Sequence, residues 1–362
     1  MYKKIFLIFT AWRLFLFFIA FLAPNFIHQF GNKFPYVGLL ESSNLPHFLW
    51  SFGNFDGVHY LGIASHLYDF QYTQAFFPLY PLLIRFLSPV FMGNILLTGL
   101  IISNTFFLLG LFVFYKLVSE SSNEKTAFWS ALFILAFPTS FYFGSVYTEG
   151  LFFFLITSSF YLYSKNKIFL ASVVGAFSSA TRLIGVFMLP ALIKRKAVIR
   201  QAVLLLIPSG LSLYMAYLYI KFHNAFYFLT AQTIFGQERS TSKIILLPQV
   251  FFRYIKILLT TRGEVLAISS LEISSTIFAF LILALASKKM KADWLIFSWL
   301  AVLVPTLTGT LASMPRYVLI AFPIFIYLGM INNLYIKLTV LTLFLILLTI
   351  TTAFFTQGYW VA

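Results

Sequence analysis

Residues 50–86 read WSFGNFDGVHYLGIASHLYDFQYTQAFFPLYPLLIRF, a polar stretch in a chain otherwise dominated by apolar blocks. The stretch contains two carboxylates, two histidines and several tyrosines. Pro78 and Pro81 open its second half, and proline is tolerated in the first turn of a helix but not inside one. The stretch therefore predicts two short helices, from about residue 56 to 67 and from about residue 81 to 90.

The spacing of polar residues on the first helix places several reactive groups together. Positions 56, 59, 60 and 63 follow the i, i+3, i+4, i+7 pattern, so Asp56, His59 and Tyr60 share a face with Ile63 and Leu67. A carboxylate beside an imidazole and a phenol indicates a reactive edge on this helix.

The composition is that of a polytopic membrane protein rather than a soluble one. Of the 362 residues, 60% are hydrophobic and 10% are charged, and the mean hydropathy is +0.91. The apolar blocks leave no room for a separate soluble domain, so residues 1–362 are expected to form one membrane-embedded, all-α domain. The net charge of +15 lies in short clusters between apolar runs. Such clusters favour topology determinants over nucleic-acid binding. The absence of cysteine excludes disulfides and thiol catalysis.

Apolar length predicts about eleven spans. They fall at about residues 5–24, 95–116, 127–145, 149–164, 168–181, 183–195, 201–220, 265–287, 294–312, 317–331 and 337–356. The first is too long for a signal peptide and lacks a small-residue cleavage site. Lys3 and Lys4 place the N-terminus in the cytoplasm, and Lys194, Arg195 and Lys196 mark the same side further along. The loop 24–94, with its short interfacial helices, is then expected on the extracytoplasmic side. The protein as a whole is expected to lie in the cell membrane.

The segment 221–263 is a second outer loop that does not follow the charge rule. It carries six basic residues against Glu238 alone, so either the rule is relaxed in this longer loop or these charges meet anionic lipid and phosphate. Arg253 and Lys256 lie three apart among apolar residues, which predicts an interfacial helix. The loop separates a catalytic module at 1–220 from C-terminal helices at 264–362.

Two charged residues fall inside predicted spans. Arg13 lies in the first span and Glu272 in the eighth, where an unpaired charge costs at least about 2.5 kcal/mol. We therefore expect these two residues to pair with each other.

The motifs of the first loop resemble those of a known superfamily. FDGVHYLGIASHLY at 55–68, followed by AFFPLYPLL at 75–83, resembles the first-loop signature of the GT-C glycosyltransferases that use lipid-linked sugars, most closely the PIG-V-like family. It is more loosely similar to the protein O-mannosyltransferases. The usual Trp-Asp pair is Phe55-Asp56 here, and the usual Gly-Tyr is Leu67-Tyr68. VYTEG, which ends in Glu149-Gly150, matches a Tyr-Thr-Glu element of PIG-V-like proteins.

The resemblance implies a GT-C-like fold and an enzyme that moves a hexose, mannose first among the candidates, from a polyprenyl phosphate to an acceptor hydroxyl with inversion. Asp56 would be the general base; otherwise it is a helix N-cap. His59 and Tyr60 would orient acceptor or phosphate, or else pack at the interface. Glu149 would contact sugar or acceptor, or else complement the helix dipole.

Two arginines complete the expected site. A leaving polyprenyl phosphate needs positive charge, which Arg182 in TRLIG and Arg316 in MPRYVLIAFP would supply as bidentate guanidinium donors. The alternative is that both arginines snorkel to lipid phosphates.

No cofactor is expected, although a divalent metal is left open. A site made of Asp56, His59 and His66 is conceivable, but two such histidines more often lie at the interface. The expected partners are a polyprenyl-phosphate sugar, a lipid or glycan acceptor and the bilayer, and not nucleic acid. The rival functions are a transporter or flippase of isoprenoid-linked glycans, and a noncatalytic subunit of a glycan-assembly complex. Polar residues gather at one predicted surface, which favours the enzyme.

Overall fold

The all-α class is confirmed. The structure, a computed structural model, describes residues 2–31, 34–193, 201–235, 239–240 and 243–362, and these contain helices and no strand. Lys194, Arg195, Lys196 and Glu238, which entered the charge analysis, lie outside the described residues.

The helices differ greatly in length. The α-helices of the described residues are α1 (Tyr2–Phe26), α2 (Val37–Glu41), α3 (His47–Trp50), α4 (Asp56–His66), α5 (Leu79–Leu87), α6 (Ile95–Ser121), α7 (Glu124–Ala136), α8 (Glu149–Ser164), α9 (Ile168–Ser179), α10 (Met188–Leu192), α11 (Ser209–Phe222), α12 (Tyr227–Gln232), α13 (Leu247–Thr260), α14 (Gly263–Ala286), α15 (Ala292–Thr306), α16 (Met314–Ile320), α17 (Pro323–Met330) and α18 (Leu334–Thr356). Short 3-10 turns lie at Ser51–Gly53, Thr73–Ala75, Ser88–Phe91, Ser140–Gly144, Leu183–Phe187, Ala202–Leu206 and Thr233–Phe235.

Five of the described helical segments are long and apolar enough to cross a membrane. They are α1, α6, α14, α18 and the stretch Ala202–Phe222 that includes α11. Each coincides with a predicted span, so the chain is an integral, multi-pass membrane protein. The other predicted spans correspond to shorter helices, such as Ile168–Ser179 and Ala292–Thr306, so the number eleven stays a prediction.

Both helices predicted in the first loop are present. α4 begins at Asp56 as expected, and α5 begins at Leu79, two residues earlier than predicted, with Pro81 in its first turn. Arg85 Nη1 on α5 donates to the Ala64 and Ser65 carbonyls at the end of α4, at 2.9 Å each. The two loop helices therefore form one unit.

The core lies around the segment that joins α7 to α8. Every residue from 133 to 153 is buried, including the run between the end of α7 and Glu149. α6 packs on α8 with little room between them, because a Cβ on Gly150 would lie 2.5 Å from the Ser103 carbonyl oxygen. The first residue of α8 is thus placed inside the protein rather than on a surface.

The prediction that Arg13 and Glu272 pair with each other is wrong. The Arg13 guanidinium lies over the rings of Phe17 and Phe52, at 4.1 and 4.4 Å from their centroids. Glu272 accepts a hydrogen bond from Tyr254 Oη on α13 at 2.6 Å. Aromatic faces and a tyrosine hydroxyl thus take the places of the opposite charges.

Candidate active site

Asp56 follows a strained turn. Phe55 has φ 59° and ψ −116°, and Gly57 N donates to the Asn54 carbonyl at 3.3 Å, which closes the turn. A bulky residue rarely adopts a positive φ, so this conformation costs about 1–3 kcal/mol. The Phe55 ring packs against Phe34 and Trp360, with centroids 5.0 and 5.1 Å away. These contacts hold the turn.

Tyr147 ties the same turn to the buried segment before α8. Its hydroxyl donates to the Asn54 carbonyl at 2.9 Å and accepts from the Asp56 backbone N–H at 3.2 Å. One residue earlier, Val146 N donates to the Phe52 carbonyl at 2.9 Å. The backbone at Asp56 is therefore fixed to the core.

Four predicted site residues meet in one chain of ion pairs. Arg316 donates from Nη1 to Asp56 Oδ2 at 2.7 Å and from Nε to Glu149 Oε1 at 2.8 Å. Arg182 Nη1 donates to the same Glu149 oxygen at 2.6 Å. The four charges sum to zero, which is the condition under which charged groups tolerate burial.

Burial differs along this chain of ion pairs. The side chain of Glu149 is 0% exposed and that of Arg316 is 7% exposed, whereas Arg182 and Asp56 are 14% and 20% exposed. The guanidinium carbon of Arg316 lies 4.9 Å from the ring centroids of both Tyr142 and Tyr147. The interior of the cluster is closed, and its two ends are open to a ligand.

Local sequence explains how each charge reaches the cluster. Arg316 lies in the first turn of α16, which begins at Met314 after Ser313 adopts φ 63° and has Pro315 as its second residue. Glu149 is the first residue of α8, where the helix dipole favours a carboxylate. Arg182 is extended, at φ −153° and ψ 144°, just before a 3-10 turn.

His59 and Tyr60 lie on α4 after Asp56 but join an aromatic group rather than the ion pairs. The His59 ring stacks on Phe76 at 4.9 Å and meets Phe235 edge-on at 5.0 Å. Burial lowers the pKa of His59 in spite of the charge of Asp56. Burial also raises the pKa of Tyr60. At neutral pH the imidazole is therefore neutral and the phenol is protonated.

The conceivable metal trio does not assemble. His66 is exposed near Phe70 at the far end of α4, and within the described ranges no three His, Asp or Glu side chains are grouped as metal ligands.

Sequence reasoning missed Tyr142, Tyr147 and Asn54, which support the cluster. Tyr147 was within reach, because it stands two residues before Glu149 in the same short motif. Tyr142 and Asn54 carry no comparable signal.

The comparisons with known proteins each cover less than half of the chain. The family model "Mannosyltransferase (PIG-V)" matches residues 32–199. GPI mannosyltransferase 2 of Drosophila pseudoobscura pseudoobscura is 32% identical over 132 residues, which make up 34% of this chain and 28% of that protein. GPI mannosyltransferase 2 of Cryptococcus neoformans var. neoformans serotype D, strain JEC21, is 30% identical over 160 residues, or 41% of this chain and 36% of that protein. The matched stretch thus spans about a third of these relatives. The resemblance predicted from the first loop is confirmed, and over residues 32–199 the chain is PIG-V-like.

Proposed function

We propose that this protein is a membrane glycosyltransferase. It transfers a hexose, mannose in the first instance, from a polyprenyl-phosphate sugar to an acceptor hydroxyl, with inversion. One observation carries the proposal: the chain of ion pairs Asp56, Arg316, Glu149 and Arg182, which presents a carboxylate at one open end and a guanidinium at the other. The names of the relatives support mannose as the sugar.

Asp56 is the general base of the proposed reaction. Among the described residues only Arg316 bonds its carboxylate, at Oδ2, which leaves Oδ1 for the acceptor. The acceptor O–H transfers its proton to Asp56 while its oxygen bonds to the anomeric carbon. The bond from that carbon to the phosphate oxygen breaks, and its electron pair leaves with the polyprenyl phosphate. Attack opposite the leaving group inverts the anomeric centre.

Arg182 and Arg316 stabilise the leaving phosphate. A guanidinium has five N–H donors; Arg182 uses Nη1 on Glu149, and Arg316 uses Nε and Nη1 on the two acids. The remaining donors are held in a partly dry site, where charge stabilisation is strong. Glu149 is fully buried, so we assign it to holding the two arginines rather than to contact with the sugar.

His59 and Tyr60 complete the acceptor side. On the first turn after the general base, a neutral imidazole and a protonated phenol can both hydrogen-bond a polar acceptor without competing with Asp56 for its proton.

The proposed architecture is GT-C-like, with about eleven spans. The final residues of the chain pack beside the first loop, since Gly31 N donates to the Gln357 carbonyl at 2.8 Å and Tyr142 Oη donates to the Ala362 carbonyl at 3.0 Å. α1 leads from residue 2 towards this face, which supports placing residues 2 and 362 on opposite sides of the membrane and an odd number of spans. Arg316 comes from the region 264–362, so that region completes the module at 1–220 and the loop 221–263 within one domain.

The test is a transfer assay with the purified full-length protein. Radiolabelled polyprenyl-phosphate-mannose is supplied with crude lipid or glycan acceptors, and wild type is compared with Asp56→Asn. We expect the variant to lose roughly 100-fold or more of the transfer rate, as for loss of a general base. Glu41→Gln, which changes an exposed carboxylate in the same loop, should transfer at the wild-type rate.

Two outcomes would overturn the proposal. Equal turnover by wild type and Asp56→Asn would remove Asp56 as the base. Export of labelled glycan from vesicles without any transfer would identify a transporter.

A further inference from the structure

A cavity lies between α1 and the hairpin formed by α6 and α7. It has a volume of about 460 Å³ and is lined from α1 by Lys4 and Leu7, from α6 by Tyr115, and from α7 by Lys125 and Phe128. None of these residues belongs to the ion-pair cluster.

The cavity and the proposed active site lie at opposite ends of α6. Asn94, which caps the start of α6, donates from Nδ2 to the Ser43 carbonyl in the first loop at 3.2 Å. Tyr115 is 21 residues further along the same helix, which at 1.5 Å per residue is roughly 30 Å. This separation equals the thickness of the hydrocarbon core. With α6 crossing the membrane as its length and apolarity indicate, the cavity is expected in the leaflet opposite Asn94.

The cavity carries unbalanced positive charge. Lys4 and Lys125 face one carboxylate, Glu124. In the part of the chain that the structure describes, no carboxylate forms an ion pair with either lysine. Lys337, which is only 4% exposed, lies near enough to repel Lys125 and is held over the Trp129 ring at 4.8 Å. An anion placed between Lys4 and Lys125 would relieve this repulsion.

The remaining lining is amphipathic. Tyr115 lines the cavity although it is 4% exposed, and its hydroxyl has no hydrogen-bond partner among the described residues. It can donate to a phosphate oxygen beside the two lysines. Leu7, 55% exposed, and Phe128 supply an apolar flank. A polar, cationic end next to an apolar flank matches a phospholipid, whose phosphate is joined to acyl chains, better than a free ion.

We infer that this cavity binds the headgroup of an anionic phospholipid in the leaflet opposite Asp56. Lys4 and Lys125 contact the phosphate, Tyr115 donates to it, and the acyl chain lies along Leu7 and Phe128. The site is independent of the proposed transfer reaction.

The test is native mass spectrometry of the full-length protein in detergent, titrated with phosphatidylglycerol, phosphatidylethanolamine or soluble glycerol phosphate. Of the three ligands, phosphatidylglycerol should bind with the highest affinity, and the spectrum should show one lipid molecule retained per protein. Lys4→Gln with Lys125→Gln should weaken it roughly tenfold or more, since each basic residue near an anionic lipid contributes about a fivefold factor in affinity. Glu124→Gln should strengthen binding, because it removes the acid that opposes the headgroup.

The matched control removes two exposed lysines outside the cavity lining, Lys288→Gln with Lys291→Gln, and should retain the lipid. The inference is overturned if both double variants bind phosphatidylglycerol equally well. It is also overturned if Glu124→Gln leaves the affinity unchanged, or if glycerol phosphate binds as tightly as the intact lipid, which would indicate a soluble phosphate ligand. Circular dichroism of each variant confirms that the comparison is made on folded protein.

Discussion

Glu149 accepts hydrogen bonds from Arg182 and Arg316 with a single carboxylate oxygen, and its side chain has no exposure at all. Replacing it by glutamine would leave two guanidinium groups facing each other in a buried site. Removal of one member of a buried ion pair typically costs about 3–5 kcal/mol. We therefore expect Glu149→Gln to lower the free energy of unfolding by about 3 kcal/mol, measured by denaturant titration in mixed micelles.

Asp69→Asn provides the control for this measurement. It breaks an ion pair of 3.0 Å with Lys221, but the two side chains are 65% and 39% exposed. An exposed pair contributes less than about 1 kcal/mol. Equal losses in Glu149→Gln and Asp69→Asn would show that the buried cluster adds nothing to stability beyond a surface contact.

His59 gives a pH dependence with a defined sign. Burial of the ring lowers its pKa from the ordinary 6.5, against the opposing effect of Asp56. Above about pH 7 the ring is largely neutral in the folded and unfolded chains alike and contributes little to the pH dependence. As the pH falls below that value, the unfolded chain takes up a proton first, so the stability of the wild type decreases.

His59→Phe should remove this acid-side loss and keep the stack on Phe76. The difference in free energy of unfolding between variant and wild type should be constant above about pH 7 and then grow on acidification, by at most about 1.4 kcal/mol per pH unit. Denaturant titrations at several pH values measure it. A difference that does not change with pH would contradict a shifted His59.

The sequence predicted the positions of individual charged residues better than it predicted their partners. Asp56, Glu149, Arg182 and Arg316 were all expected to lie at one site, from their motifs and from their positions at span ends. Their pairing was not foreseen, because a contact between positions 56 and 316 has no local pattern. The prediction that Arg13 pairs with Glu272 was wrong because it matched residues only by the sign of their charge. The Arg13 guanidinium instead lies over two aromatic rings, 4.1 Å from the centroid of Phe17 and 4.4 Å from that of Phe52.

At the level of elements, apolar length and proline position located helices well. α4, α5 and α13 appear where amphipathic spacing or proline placed them. The segment before Glu149 joins the predicted spans 127–145 and 149–164, and the burial of this connection was not expected. A segment buried on all sides has no periodicity that distinguishes it from a span.

α13 packs on α14 and presents one apolar face outwards. Phe252, Ile255 and Leu259 are 71%, 51% and 81% exposed and follow the i, i+3, i+7 pattern. Val250 and Tyr254 face inwards and are buried. A face of this kind, with basic residues beside it, is expected to lie in the membrane interface.

Spin labels can test this orientation without background, because the chain contains no cysteine. The spin relaxation rate should be increased more by oxygen than by a water-soluble nickel chelate for labels at the three apolar positions, Phe252→Cys, Ile255→Cys and Leu259→Cys. A label at Lys256→Cys should show the reverse. A helix lying flat gives the three apolar sites similar depths. An upright helix would spread positions 252 and 259 over roughly 10 Å, which contradicts the interfacial placement.

At the scale of the whole molecule, charge and packing together define two faces. The first loop, Arg316 and the final residues of the chain meet at one face, as the contacts of Asp56 and of Gln357 show. The other face carries Lys4, Lys125 and the ion pair of Lys165 with Glu120 at 3.0 Å. Basic residues accumulate on the cytoplasmic side of membrane proteins, so the face with Asp56 is expected to be extracytoplasmic.

This orientation determines where a lipid-linked donor must present its sugar, and cysteine labelling in intact cells tests it. Met92 is fully exposed just before α6, at the end that carries the first loop, and Lys288 is exposed just after α14. α15 then leads from the Lys288 end back to the loop before Arg316, over 15 residues or roughly 22 Å. A membrane-impermeant maleimide should therefore modify Met92→Cys in intact cells, and Lys288→Cys only after permeabilisation. The opposite pattern would place Asp56 in the cytoplasm, and modification of both in intact cells would mean that the two positions share a face.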